Sequence, residues 1–169
     1  MRRALVVAAL ALSAGACGPS SGRAPATATG PTLTGAWRSK VQFQSGSFAL
    51  IHDLEFSYVF NEGGTMTESS NYDEVPPATP AYGIWRRTGP RAFEAKYVFY
   101  MTKPPVAWND IESGGGWLPA GHGELLESIT LGADGNHYTS KIRFTVYDST
   151  GAVSGGVSEA TGAGTRIVF

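Results

Sequence analysis

Apolar and polar residues alternate along most of the chain from Leu33 to Phe169. The pattern is clearest in Leu54–Phe60 and in Phe93–Met101, where every second residue is apolar or aromatic. A period of two places alternate side chains on opposite faces of a β-strand. No stretch combines a sustained helical period with capping residues. The pattern therefore predicts an all-β domain.

Short segments rich in Gly, Asn and Asp separate the predicted strands, as in Asn61–Gly64, Ala133–Asn136 and Asp148–Gly151. Such segments form tight turns, and tight turns join antiparallel neighbours. We count eight or nine strands, and a sequential meander of this size closes into a barrel or splits into a sandwich. An antiparallel up-and-down barrel is the architecture that we expect.

Four segments carry more specific predictions. Thr65–Asn71 is mostly polar on both faces, which predicts an edge strand or a solvated return strand. Leu125, Glu127, Ile129 and Leu131 are expected to share one face of a strand. Thr102–Gly121 is the longest irregular segment, and two Gly-rich strands are expected to follow Gly151.

The first sixteen residues have the order of a secretory signal peptide. Two arginines follow Met1, Ala4–Leu12 is wholly apolar, and Ser13–Ala16 contains only small residues. A basic start, a short apolar stretch and a small-residue cleavage site define such a signal. The apolar stretch is too short to span a bilayer as a helix, which takes about 20 residues. Export of the mature protein is therefore predicted.

Cys17, the only cysteine, follows the predicted cleavage site directly. Leu12–Cys17 resembles the lipobox of bacterial lipoproteins, although Ala14 stands where leucine is usual. The resemblance implies lipid attachment at Cys17 and, with Gly18 after the cysteine, the outer membrane of a cell that has one. Ordinary cleavage after Ala16 and free secretion is the alternative. Residues 18–31 contain only Gly, Pro, Ser, Ala, Thr and Arg23. Residues 17–32 are therefore predicted to form a flexible tether, and residues 33–169 the single folded domain.

The start of the domain resembles a known family. Gly35-Ala36-Trp37 resembles the Gly-x-Trp motif that opens the first strand of lipocalins and other calycins. In that family the tryptophan plugs the closed end of the barrel and stacks on an arginine from a late strand, which implies Arg166 here. Phe60–Thr65 and Thr79–Phe93 also look like a family of uncharacterised secreted or lipid-anchored bacterial barrels. These resemblances imply a calycin-like fold without an established activity.

Several aromatic residues are candidates for a ligand site. Six of them lie on predicted inward faces, where they either line a cavity or fill a solid core: Phe56, Tyr58, Phe60, Tyr97, Phe99 and Phe144. Trp108 and Trp117 lie in the long irregular segment, where no strand period requires a large apolar side chain. They either cap the barrel end or form a lid over a pocket or a protein contact. We predict that Thr102–Gly121 folds over the open end and governs access to the interior.

Few residues suggest other chemistry. His52, Asp53, His122 and Glu124 are the only plausible ligands for a metal or a haem, and no zinc-protease, serine-nucleophile or phosphate-loop motif occurs. A net charge of −1 gives no global field for nucleic acid. We therefore expect no cofactor, metal, nucleic-acid partner or catalysis.

The sequence thus predicts an exported, lipid-anchored monomeric barrel that binds a small apolar ligand or an envelope partner. Two alternatives stay open. One is a solid barrel that acts as a protein-interaction module. The other is an enzyme that works in the barrel cavity, which a polar group at the floor of that cavity would favour.

Overall fold

The structure, a computed structural model, describes residues 30–72, 78–104, 107 and 118–169. Eight β-strands and one short 3-10 helix, Ser47–Leu50, make up the regular structure of these residues. The strands are β1 Gly35–Phe43, β2 Glu55–Phe60, β3 Thr65–Ser70, β4 Ala81–Arg87, β5 Ala92–Lys103, β6 Leu118–Leu131, β7 His137–Tyr147 and β8 Ser158–Arg166. The predicted all-β fold is confirmed. The predicted signal peptide, Cys17 and most of the tether lie outside the described residues.

The eight strands form a closed barrel. Each strand pairs antiparallel with the next along the chain, and β8 returns to pair with β1, so that Trp37 lies opposite Arg166 and Phe43 lies opposite Ala160. This is the up-and-down order that the tight turns predict, and closure excludes the sandwich alternative.

The two ends of the barrel differ. At the end where β1 starts and β8 stops, which we call the plug end, the strands are joined by the short turns 61–64, 88–91 and 132–136. At the opposite, far end, the connections are longer and include the 3-10 helix and residues 104–117. Binding residues lie disproportionately on loops. The far end is therefore the better candidate for a binding site.

Inward-facing side chains fill the barrel in three layers. Apolar residues occupy the layer at the plug end, including Leu33, Trp37, Phe60, Met66, Phe93 and Leu131. Aromatic rings dominate the layer at the far end, with Phe43, Phe56, Phe99 and Phe144. Polar side chains lie between these two layers: Ser39, Tyr58, Glu68, Tyr97, Glu127 and Ser140. The core is therefore apolar at both ends and polar in the middle.

The predicted edge strand Thr65–Asn71 is corrected by the structure. Its residues 65–70 form β3, which pairs with β2 on one side and β4 on the other. Met66 and Glu68 are buried. A closed barrel has no edges, and the polar appearance of the segment arises because one of its two fully buried side chains is a carboxyl group.

Two further boundaries are corrected. A single strand, β8, follows Gly151 instead of two, while Val153 forms only an isolated bridge with Tyr147. The irregular segment is shorter than Thr102–Gly121, because β5 continues to Lys103 and β6 begins at Leu118. Pairing between β5 and β6 accounts for both extensions. No helix in the described ranges is long and apolar enough to cross a membrane.

Candidate functional site

Trp37 fills the plug end of the barrel. Its side chain is fully buried, and the indole Nε1 donates a hydrogen bond of 2.8 Å to the carbonyl oxygen of Leu33. The guanidinium of Arg166 lies 4.2 Å from the centroid of the Trp37 ring. Register explains this contact, since the two residues are direct partners in the β1–β8 ladder. The structure thus brings together the pair that the calycin resemblance implies.

Arg166 also ties together the backbone around the plug. Its guanidinium donates hydrogen bonds to the carbonyl oxygens of Thr32 (2.6 Å), Thr34 (2.6 Å) and Gly135 (3.0 Å). Partial burial lowers the pKa of Arg166. These contacts hold the incoming chain and the β6–β7 turn across the plug end, so that the described residues close this end of the barrel.

The far end contains a cavity of about 40 Å³ inside the barrel. Half of the residues that line it are aromatic, and Glu68, Ser70 and Thr79 also reach it. The rings belong to Phe43, Phe48, Phe56, Tyr72, Phe99 and Phe144. A water molecule needs roughly 10–15 Å³ of such space, whereas drug-sized ligands occupy pockets of roughly 300–1,000 Å³. The described cavity therefore fits a small group and not a whole large ligand.

The stacked pair Phe99–Phe144 forms one wall of the cavity, with ring centroids 5.7 Å apart. Gly123 of β6 makes the pair possible, because a Cβ at this position would come within 2.6 Å of both rings. Glycine at position 123 therefore leaves the space that the two phenylalanine rings occupy.

Phe48 covers the cavity from the 3-10 helix. Its ring is partly buried and packs against Phe43, Phe144 and Tyr72, with centroid distances of 5.3, 5.5 and 5.7 Å. The chain enters the helix at Gly46, whose φ of 79° favours glycine. Phe48 is therefore carried by a short connection and not by the barrel wall.

Below the cavity, three polar groups of the middle layer form a hydrogen-bonded line. The hydroxyl groups of Tyr58 and Tyr97 lie 3.1 Å apart, and the hydroxyl of Tyr97 donates a bond of 3.0 Å to Glu127 Oε2. All three residues are fully buried. Glu68, which reaches the cavity wall, is the direct partner of Tyr58 in the β2–β3 ladder. The middle layer thus extends from the centre of the barrel towards the cavity.

Burial governs the protonation of this layer. It raises the pKa of Glu127, although the hydroxyl groups of Ser140, Tyr97 and Tyr58 act in the opposite direction. Burial, reinforced by the charge of Glu127, raises the pKa of Tyr58 and Tyr97 well above the ordinary value. The tyrosines are therefore hydrogen-bond donors at neutral pH.

Several buried atoms near Glu127 have no hydrogen-bond partner among the described residues. They are Glu127 Oε1, Ser39 Oγ, Tyr138 OH and Ser140 Oγ. An unpaired buried polar atom costs about 1–3 kcal/mol. Burial, and not these hydroxyl groups, is what favours the neutral form of the Glu127 carboxyl group.

Of the six predicted inward aromatic residues, three line a cavity and three fill the solid core. Phe56, Phe99 and Phe144 line the far-end cavity. Tyr58, Phe60 and Tyr97 are fully buried in the core. Trp108 and Trp117, the predicted lid residues, lie outside the described residues.

The four candidate metal ligands do not converge. His122 stacks on Tyr147 with ring centroids 4.8 Å apart, and the Glu124 carboxylate lies 2.7 Å from Lys96 Nζ. His52 and Asp53 lie in the connection between β1 and β2, at the far end of the barrel. Within the described ranges, no group of three or more His, Cys, Asp or Glu side chains is placed to hold a metal ion.

A broader concavity of about 790 Å³ lies on the outer face of β4–β8 and is open to solvent. Ile84 and Leu126 are exposed there among charged side chains such as Lys96, Arg143 and Glu159. An apolar ligand needs an enclosed apolar wall, so the far-end cavity is the better candidate site.

Sequence reasoning missed the polar layer. Glu127 was predicted to share a face with Leu125, Ile129 and Leu131, and the structure places all four inside the barrel. A charged residue on an apolar strand face was the signal that could have identified this group. No protein-family model matches the chain, and no curated protein is similar enough to count as a relative.

Proposed function

We propose that this protein is an exported, lipid-anchored calycin-like barrel that binds a small, mostly apolar ligand at its far end. The observation that carries the proposal is the ring of aromatic side chains around the far-end cavity. The opposite end is closed by Trp37 and Arg166. A ligand that enters the barrel would therefore come through the far end.

The place where the chain enters the barrel supports a ligand site at the far end. The chain enters the barrel at the plug end, where Arg87 Nη2 donates a 2.7 Å bond to the carbonyl of Pro31. An acyl anchor at Cys17 would therefore connect to the plug end. Residues 18–29 could span at most about 40 Å when extended. The far end then stays accessible from the aqueous side.

The size of the cavity sets a requirement on binding. Phe48 has to move before a ligand larger than the described cavity can enter. Since Phe48 lies on a short 3-10 helix outside the barrel wall, its displacement need not break a strand pair.

Removal of the Phe48 ring tests the proposal. In a full-length Cys17→Ser background, which avoids detergent, Phe48→Ala should bind the apolar fluorescent probe N-phenyl-1-naphthylamine several-fold more tightly than the parent. A deleted ring leaves space in the cavity, because a packed site collapses only in part. Fluorescence titration measures the affinity.

Trp85→Ala is the matched control for Phe48→Ala. Trp85 is also a partly buried aromatic residue, but it packs on Phe60 and Phe93 at the plug end. It should leave probe affinity unchanged. Equal probe binding by the parent, Phe48→Ala and Trp85→Ala, or no binding by any of them, would contradict a binding site at the far end.

The anchor is tested separately. Wild-type protein expressed in a bacterial host should fractionate with membranes, and mass spectrometry should find acyl chains on Cys17. Cys17→Ser should release the protein into the soluble exported fraction, because several buried chains are needed for stable anchoring. An unacylated N-terminus, or membrane association that survives Cys17→Ser, would remove the lipoprotein part of the proposal.

A second candidate function is an acid–base enzyme that works in the cavity. The presence of Glu68 in the cavity wall favours it, with Tyr58 as its ladder partner. Mass spectrometry of small molecules extracted from protein purified from its native host distinguishes the two. The extracted compound is then incubated with ligand-free protein. Recovery of the unchanged compound supports binding, whereas its conversion to a product, abolished by Glu68→Gln, supports catalysis.

A further inference from the structure

The far-end cavity combines aromatic rings with a carboxyl group. Six aromatic residues and Glu68 contribute to its wall. Aromatic rings present negative potential at their faces, and a cation is attracted to such a face when it lies within about 6 Å of the ring centroid. Rings and a carboxylate together therefore attract the same kind of group.

The sign of the charge inside the barrel is uniform. Among the buried side chains of the described residues, the ionisable groups are glutamates and tyrosines, without lysine, arginine or histidine. Arg87 and Arg166 lie at the plug end, beside Phe93 and Trp37. An ammonium group that enters the cavity therefore meets carboxyl and hydroxyl groups, and no buried cation of the described residues.

The volume also limits the group that can enter. About 40 Å³ holds two or three heavy atoms, since a water molecule needs roughly 10–15 Å³. An aminomethyl head group has two heavy atoms. The remainder of the ligand would then lie outside this cavity, next to Tyr72.

We propose that the far-end cavity recognises the positively charged head group of a small amine that carries an apolar tail. Glu68 pairs with the ammonium group, and the rings of Phe48, Phe99 and Phe144 surround it. This inference rests on the proposed ligand site and specifies the chemical class of the ligand.

Three probes with one tail and different head groups test the inference. Hexylammonium, hexanol and hexanoate are titrated by calorimetry at pH 7 into the full-length Cys17→Ser protein. Hexylammonium should bind about tenfold more tightly than hexanol, because it adds cation–π and charge-assisted contacts. Hexanoate should not bind measurably, since it brings a second negative charge next to Glu68.

Two variants identify the groups that recognise the charge. Glu68→Gln should reduce hexylammonium affinity about tenfold while hexanol affinity stays the same. Phe48→Leu keeps an apolar side chain without a ring, so it should reduce the preference for the amine and not the binding of hexanol. Glu159→Gln, on the outer face of β8, is the matched control and should change neither affinity.

The outcomes separate this inference from the proposed function. If hexanol binds as tightly as hexylammonium, or if Glu68→Gln leaves the amine preference intact, the amine inference is wrong and an apolar ligand site stands. If none of the three probes binds to the parent or to Phe48→Ala, the far end is not a ligand site and both proposals fail.

Discussion

Replacement of Trp37 by alanine should lower the free energy of unfolding by roughly 3–5 kcal/mol, as other deletions of buried large side chains do. The indole is fully buried and packs on Tyr138 with ring centroids 5.1 Å apart. Its removal also leaves the carbonyl of Leu33 without its donor and the guanidinium of Arg166 without an aromatic face. Denaturant unfolding monitored by circular dichroism measures the loss.

Trp85→Ala provides the comparison for this experiment. Trp85 is only partly buried, although its Nε1 donates a 2.9 Å bond to the carbonyl of Asn61. The same change of side chain should therefore cost less than half as much as Trp37→Ala. A loss under about 1 kcal/mol for Trp37→Ala would place it among ordinary surface substitutions and contradict its role as the plug.

The strands could be predicted from the sequence because each one has an apolar face with a period of two. The β5 residues Phe93, Tyr97 and Phe99 show the relation directly, since all three are buried. Closure was not fixed by this pattern, because a meander of eight strands also forms sandwiches. It depends on the pairing of β1 with β8, two segments that lie more than 100 residues apart.

The polar layer could not be predicted because alternation identifies faces and not contacts. Tyr58, Tyr97 and Glu127 lie on three strands, and only the register of the closed barrel brings their oxygen atoms within hydrogen-bond distance. Glu68 was placed on a solvated strand for a similar reason. Its segment contains few large apolar residues, and such a polar sequence does not indicate that the strand pairs with a neighbour on each side.

The far-end cavity was predicted only in part. Phe56, Phe99 and Phe144 were candidates for its wall, whereas Phe48 and Tyr72 lie outside the regular strands and have no period that marks them. Loop residues reach a site through the geometry of the whole fold. Their roles therefore become visible only in the structure.

The pH dependence of stability should separate Glu127 from the other carboxyl groups. Burial raises the pKa of Glu127 in the folded protein. Its contribution to stability is therefore fully present below the unfolded pKa of about 4.3 and is lost as the pH rises through the folded pKa. Surface carboxyl groups act in the opposite direction. Hydrogen bonds from the Arg38 side chain lower the pKa of Glu55, and bonds from His137 and the Asn136 backbone lower that of Asp134.

Because these effects overlap in the wild-type curve, the informative quantity is the difference between each variant and wild type. Glu127→Gln keeps the shape of the side chain and an oxygen that accepts from Tyr97, but it cannot ionise. Its stability relative to wild type should rise steadily as the pH increases from about 4, since effective penalties for a buried ion reach several kcal/mol. Glu55→Gln, which removes the partner of Arg38 on the surface, should be less stable than wild type by an amount that stays constant above about pH 5 and shrinks below it.

The groups that face Glu127 define where this comparison holds. They are Tyr97 on β5, Tyr58 on β2, and Tyr138 with Ser140 on β7. Burial raises the pKa of all three tyrosines, so above about pH 10, the unfolded value, both proteins should lose stability in parallel. Thermal unfolding at intervals between pH 4 and about 9 therefore isolates the carboxyl group. A stability difference between Glu127→Gln and wild type that stays constant across this range would mean that Glu127 titrates alike in the folded and unfolded chains, and that the polar layer does not hold its proton.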